Sequence, residues 1–180
     1  GEWTISLNEG NGKFTKGDVV TFNGNNKAFR GENQLIIGDF DGDGYDDIGV
    51  KWTGSGHTGK WVIALNDQGG NFGRGIQRSF NGGSTAYIGD NIPITGDLNG
   101  DGSDDVGVKW TGGRHNGTWT ISLNDQRGNF RSGQIVTFSG IDKAYLGDNL
   151  PITGDFNGDG YDDVGVKWTG GPHEGTWTIS

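Results

Sequence analysis

Three segments of this chain are near-copies at a fixed interval. GDFDGDGYDDIGVKW at 38–52 returns as GDLNGDGSDDVGVKW at 96–110 and as GDFNGDGYDDVGVKW at 154–168, 58 residues apart each time. A unit repeated at such a period buries its apolar face only against its neighbours, so the chain reads as one array and not as a set of independent domains. A second marker keeps the same period: GEWTISLN at 1–8, GKWVIALN at 59–66, GTWTISLN at 117–124 and GTWTIS at 175–180. The array therefore divides into a partial unit (1–32), two full units (33–90 and 91–148) and a second partial unit (149–180).

With Gly 38 and Pro 3 among 180 residues, the composition suits short strands joined by tight turns better than helices or linkers. The content of large aromatics, Trp 7 and Phe 9, recurs in register and offers enough apolar area for a packed interior. Four strands per unit are expected. The first covers 35–37 (with 93–95 and 151–153), the second 47–52, the third 61–66, and the fourth 76–80 (with 19–22 and 135–138). Ile48, Val50 and Trp52 alternate onto one face, as do Trp61, Ile63 and Leu65; small residues such as Gly49, Ala64, Thr120 and Ser122 occupy opposite faces. The expected fold is all-β, a β-propeller built from 58-residue four-stranded blades, with a β-trefoil as the competing threefold architecture. Three blades do not close a ring. Either two chains assemble as a homodimer closing six blades, with 3–8 completing the partner's last blade, or the sequence belongs to a longer chain; its start without Met fits processing or a fragment.

The acidic segments place ligand-type residues at alternate positions. They are Asp39, Asp41, Asp43, Tyr45 and Asp47 in the first, Asp97, Asn99, Asp101, Ser103 and Asp105 in the second, and Asp155, Asn157, Asp159, Tyr161 and Asp163 in the third. Positions 1, 3, 5 and 9 offer side-chain oxygens and position 7 its backbone carbonyl. Gly42 and Gly44 allow the sharp turn. Hard oxygen donors in this number suit Ca²⁺ better than Mg²⁺, which gives an expectation of about three Ca²⁺ per chain. The formal charge of −9 would fall to −3 with three bound, so the acid reads as metal ligand rather than as solvated surface. The pattern is half of an EF-hand without its position-12 Glu, since Val50, Val108 and Val166 stand there. Asp46, Asp104 and Asp162, at position 8, are expected to face solvent or a backbone donor.

The string D-x-[DN]-G-D-G-x-x-D followed by a Gly-containing strand resembles the FG-GAP/VCBS repeat of integrin α-chain propellers and many secreted proteins. The aromatic second half, KWTG-x-x-H-x-G-x-W, departs from the integrin pattern. It is similar instead to propeller lectins, including fungal lectins with integrin-like calcium loops. The resemblance implies a calcium-stabilised propeller of lectin type, and the calcium demand points to an extracellular or secreted location.

All His residues, His57, His115 and His173, occupy one repeat position, between Trp52 and Trp61, Trp110 and Trp119, and Trp168 and Trp177. This loop joins strands two and three and lies at the end opposite the acidic loops. The connection from strand four emerges at the same end and brings Tyr87, Asp90 and Asn91, or Tyr145, Asp148 and Asn149. An aromatic plane beside an acid, an amide and an imidazole is what a sugar needs, one face for its C–H groups and fixed polar atoms for its hydroxyls. The expected function is a lectin with one shallow site per repeat, strengthened by multivalency. Glycans are the expected partners, galactose-type preferred because an acid is available for axial hydroxyls. Competing readings remain for the same residues: the Trp as core, the His as a loop brace, and the face as an integrin-like protein-binding surface. The acidic charge argues against nucleic acid, no apolar run reaches membrane-spanning length, and no nucleophile–base arrangement recurs, so no enzyme is expected.

Overall fold

The computed structural model describes residues 2–21, 33–53, 60–78, 91–136, 146 and 149–180. Within them the chain is all-β, with only two single-turn 3₁₀ segments, at Gly113–His115 and Gly171–His173. The first partial unit contributes β1 (Glu2–Ile5), the hairpin β2 (Asn8–Gly10) and β3 (Lys13–Phe14), and β4 (Asp18–Thr21). The first full unit gives β5 (Gln34–Gly38), β6 (Asp47–Lys51), β7 (Trp61–Ala64) and β8 (Ile76–Arg78). The second gives β9 (Ile92–Gly96), β10 (Asp105–Lys109), β11 (Trp119–Ser122) and β12 (Gln134–Val136). The last gives β13 (Leu150–Gly154), β14 (Asp163–Lys167) and β15 (Trp177–Ile179). Both full units are antiparallel four-stranded meanders, the last unit has three strands, and the first unit pairs β1 with β4.

Several boundaries differ from the sequence reading: the first strands extend one residue further at each end, and the fourth strands begin one residue earlier at Asp18 and Gln134. The second strand stops at Lys51 rather than Trp52, although the Trp52 amide still donates to the Lys60 carbonyl at 2.8 Å. The third stops at Ala64, after which Asn66 pairs across a turn with Phe72, as Asn124 does with Phe130. Residues 22, 79–80 and 137–138 of the expected fourth strands lie outside the described residues.

The sheets stack face to face in chain order. Trp61, Ile63 and Ile36 of one sheet pack on Val106 and Val108 of the next, and Trp119 and Ile94 pack on Val164 and Val166 in turn. Trp3 and Ile5 of the first partial unit lie against Ile48, Val50, Val62 and Ala64 in the same way. This explains why β6 and β10 are buried at every position: both faces of each are covered, so their sequence is not the alternation of a half-exposed strand. The covered lysines are a further consequence. Lys51 and Lys109 are fully buried rather than lying on the surface, and Lys51 Nζ donates to Gln34 Oε1 at 2.8 Å. Successive first strands are tied by hydroxyls, Thr95 Oγ1 donating to the Ile37 carbonyl and Thr153 Oγ1 to the Thr95 carbonyl.

The glycine in the middle of each second strand is set by this packing. A Cβ on Gly107 would stand 2.9 Å from the Thr120 carbonyl oxygen and 3.0 Å from Ile94 Cγ1. The first obstacle is backbone and does not yield. Gly107→Ala is expected to cost about 1–3 kcal/mol in chemical unfolding, with or without calcium.

Candidate functional site

In an antiparallel meander the connection from strand one to two and that from three to four share one end. The acidic loops accordingly sit beside the 66–72 and 124–130 turns. The first acid of each loop anchors it. Asp39 Oδ1 accepts the amides of Gly42 (2.8 Å) and Asp43 (3.0 Å), and Oδ2 accepts that of Gly44 (2.7 Å). Gly42 and Gly44 have φ of 74° and 88°, which is the left-handed conformation this wrap requires. Asp155 repeats the pattern with Gly158, Asp159 and Gly160, and Asp97 with Asp101 and Gly102.

Carboxylate oxygens of Asp39, Asp41 and Asp43 lie within 4.8 Å of one another. Asp41 Oδ1 is buried and accepts no hydrogen bond. Burial raises the Asp41 pKa, and the charges of Asp43 and Asp39 add to it. A divalent cation answers all three observations, because it supplies the positive charge and the acceptor-only oxygens supply hard donors. The donor set therefore fits calcium. In the other loops the third position is an amide: Asn99 Oδ1 accepts from the Asp101 amide, and Asn157 Oδ1 from that of Asp159, each at 2.9 Å.

The ninth position has a second task. Asp47 Oδ1 accepts the Asn66 amide at 2.7 Å and Oδ2 that of Phe40 at 3.1 Å, while Asp105 Oδ1 accepts the Asn124 amide at 2.7 Å and Asp163 Oδ2 that of Phe156 at 3.0 Å. Asp47 and Asp105 thereby close their loops onto the neighbouring turn. Burial raises Asp47 to about 6 against its two hydrogen bonds, with Asp41 and Asp39 adding repulsion. Burial raises Asp105 to about 7, where Asp101 and Asp97 add repulsion. Gln68 and Gln126 went unnoticed in the sequence: Gln68 Nε2 donates to Asp43 Oδ2 at 3.0 Å, and Gln126 Nε2 to the Asp101 carbonyl at 3.2 Å. The recurring NDQ at 66–68 and 124–126 was their signal.

Positions 7 and 8 reach across to the preceding unit. Asp104 Oδ2 accepts the Asp39 amide at 3.0 Å while the Asp104 amide donates to the Asp39 carbonyl at 2.8 Å; Asp162 does the same with Asp97 at 2.9 and 2.8 Å. A Cβ on Gly38 or Gly96 would collide with these carboxylates. The backbone donor expected for position 8 is thus the preceding loop's anchor residue. Ser103 is buried with its Oγ 2.6 Å from where a Gly42 Cβ would be, and the Tyr161 ring takes the corresponding place at Gly100.

At the opposite end, the tryptophan and histidine of two repeats come together. The His115 ring centroid lies 4.7 Å from that of Trp110, and His173 lies 4.9 Å from Trp168. Trp110 Nε1 donates to Thr120 Oγ1 at 2.8 Å and Trp168 Nε1 to Thr178 Oγ1 at 3.1 Å, which fixes each indole. Arg114 Nε donates to His115 Nε2 at 2.9 Å, so this nitrogen is an acceptor. Trp52, Trp110 and Trp168 are each half-buried. Two expected ligand residues are corrected: Trp61 and Trp119 are fully buried between sheets and offer no surface to a guest. Asn91 and Asn149 are buried as well, and their Oδ1 atoms accept the amides of Thr111 (3.2 Å) and Thr169 (3.0 Å), bracing the loop ends. His57, Tyr87, Asp90, Tyr145 and Asp148 lie outside the described residues.

No family model matches the chain, and no curated protein matches it. Solved structures do. An Agrocybe aegerita lectin described as recognising non-reducing terminal N-acetylglucosamine is 21% identical, with a TM-score of 0.59 over 98% of this chain and 45% of that one. The Photorhabdus luminescens Tc holotoxin pore is 19% identical, with a TM-score of 0.61 over 99% of this chain and 8% of that one. A TcdB2–TccC3 structure is 17% identical, with a TM-score of 0.53 over 97% of this chain and 7% of that one. The chain spans less than half the length of each of these, and the likeness establishes a shared fold. No helix among the described residues is long and apolar enough to cross a membrane.

Proposed function

We propose that the stacked sheets are blades of a β-propeller of FG-GAP/VCBS type, that calcium in the acidic loops stabilises them, and that the opposite end binds carbohydrate. The observation that carries the reading is the recurrence of one tilted Trp–His ring pair at the same place in successive sheets, Trp110 with His115 and Trp168 with His173. A small ligand bound several times favours such repetition, whereas a protein partner is asymmetric and favours divergent repeats. The fold shared with a lectin supports it. Asp90 and Asp148, on which a galactose-type preference rests, lie outside the described residues. Terminal N-acetylglucosamine, named for the Agrocybe protein, is therefore the first ligand to test beside galactosides. The calcium demand fits an extracellular setting.

Binding to a glycan array displaying both sugars, with calcium and with chelator, tests the reading. Silence on every sugar in calcium would transfer the face to a protein ligand. His115→Ala with His173→Ala is expected to weaken sugar binding at least about tenfold with a nearly unchanged melting temperature, since neither ring is buried. Trp110→Ala is a poorer probe, because it removes packing against the first core cluster and is expected to cost about 2–4 kcal/mol of stability.

A further inference from the structure

The turns joining β7 to β8 and β11 to β12 hold a backbone conformation that their residue type does not favour. Gln68 and Gln126 have φ of 66° and 63°, in the left-handed region that a β-carbon disfavours. Gly10 stands at the corresponding position of the first partial unit with φ of 90°, and glycine would serve the same turn at 68 and 126. The turns do not need the glutamine side chain. Asp67 Oδ1 accepts the amides of Gly69 (2.9 Å) and Asn71 (3.1 Å), and Asp67 Oδ2 accepts from Asn71 Nδ2 at 3.0 Å. Asp125 repeats these bonds with Arg127 and Asn129, and the Asn66–Phe72 and Asn124–Phe130 bridges close both turns. What the glutamines touch lies in the acidic loops. Gln68 Nε2 donates to Asp43 Oδ2 at 3.0 Å, while Asp43 Oδ1 accepts the Tyr45 amide at 3.0 Å. Gln126 Nε2 donates to the Asp101 carbonyl at 3.2 Å, while Asp101 Oδ1 accepts the Ser103 amide at 3.1 Å. Both arms reach the fifth residue of their loop.

In each of these two loops one buried carboxylate oxygen has no donor among the described residues. In the first it is Asp41 Oδ1. In the second it is Oδ2 of Asp105, a residue that is 0% exposed and lies beside the charges of Asp101 and Asp97. The equivalent oxygen of Asp47 accepts the Phe40 amide, but the Leu98 amide donates to the Gly96 carbonyl instead, at 3.0 Å. A buried acceptor among like charges points to a cation, independently of the spacing of the acids.

We propose that Gln68 and Gln126 are positioning residues for calcium: each pins the fifth residue of its loop from outside, in the arrangement the ion requires. The inference rests on the calcium reading given above. A carboxylate has about four acceptor positions, so Asp43 can take the Tyr45 and Gln68 donors and still present lone pairs to a cation. At Asp101 the bond goes to the backbone, and fixing the carbonyl fixes the direction in which the side chain leaves the loop. Donors outside a ligand set orient the ligands, and losing one typically costs about tenfold or more in metal affinity. Tighter metal binding thus offsets the cost of the left-handed glutamine.

Calcium titration of the 180-residue chain by isothermal calorimetry, with thermal melts in chelator, tests this. Gln68→Gly combined with Gln126→Gly is expected to weaken calcium binding about tenfold. Its melting temperature in chelator should equal or exceed that of the parent, since glycine adopts the left-handed turn freely. Gln68→Ala combined with Gln126→Ala keeps the backbone cost. It should weaken calcium binding equally and melt below the glycine variant in chelator. A side chain that merely held the turn could not lower metal affinity while sparing the metal-free fold. Parent-like calcium affinity in the glycine variant would overturn the proposal and leave the calcium reading standing. A lowered chelator melting temperature in that variant would assign the side chains to the turn and overturn it as well. A parent chain that takes up no calcium would overturn both.

Discussion

In excess chelator the melting temperature of this protein is expected to fall as pH rises from about 4 to about 8, and calcium is expected to flatten that slope. Asp47 and Asp105 are buried and titrate near 6 and 7 in the folded chain, above the ordinary carboxylate value of 3.8. The sign follows from proton uptake. Between 3.8 and 6–7 the folded chain holds protons that the unfolded chain has released. Stability is thus greatest below that window and is lost as pH rises through it. Most acidic proteins behave in the opposite way, with carboxylates paired in the folded state. The loss is on the order of a few kcal/mol, or about 5–10 °C for a chain of this length. Bound calcium would compensate the charges gathered around Asp39, Asp41 and Asp43, and is expected to add about 1–2 kcal/mol per site at millimolar concentration. Differential scanning calorimetry across pH in both conditions measures the two slopes. Asp105→Asn should remove much of the chelator slope, since the amide carries no charge to bury. Identical slopes with and without calcium would mean that the ion does not enter the loops.

The repeat made most of this fold legible. A period of 58 residues fixed the number of units, and alternation in Ile48, Val50 and Trp61, Ile63 fixed which faces pack. Short-range signals were enough there because each sheet is a local meander. The fate of the tryptophans was harder to read. Trp52 and Trp61 look alike in sequence, yet one ends a loop half-buried and the other is sealed between sheets. Only the register of β6 against β7, Lys51 opposite Trp61, places Trp61 on the face that meets the next unit. The burial of Lys51 and Lys109 is hidden for the same reason, since a lysine beside a tryptophan gives no sign in sequence that a second sheet covers both.

The acidic loops were legible as donors but not as connectors. Their spacing puts the first, third and fifth residues around one centre, and the structure keeps Asp39, Asp41 and Asp43 there. The same spacing was silent about the eighth residue. Asp104 and Asp162 point out of their own loops because the loop before each offers an amide and a carbonyl at its anchor residue. A long-range bond of this kind leaves one trace in sequence, a glycine at 38 and 96 that has no turn to explain it.

That bond sets the second large effect. Asp104→Ala is expected to destabilise the chain by about 2 kcal/mol, because it leaves the Asp39 amide without its acceptor in a part-buried junction. Asp46→Ala, the same substitution one unit earlier, should fall within about 0.5 kcal/mol, because that exposed carboxylate accepts no hydrogen bond among the described residues. Asp104→Asn separates hydrogen bonding from charge. Burial lifts Asp104 to about 6, with Asp162, Asp46 and Asp39 adding repulsion. Stability is therefore lost as pH rises from 3.8 through about 6, while the Asp104 oxygen favours folding at every pH. The amide keeps the acceptor and discards the charge, so it should match the parent chain below about pH 4 and exceed it near pH 8. Because stability in a stacked array is the sum of unit and junction terms, the Ala variant should also open selectively at the junction between the first and second full units. Hydrogen exchange would then rise at the Asp39 and Asp104 amides before it rises within β10 or β11. Uniform loss of protection across all sheets would show the array unfolding as one block and would remove the connector role assigned to this carboxylate.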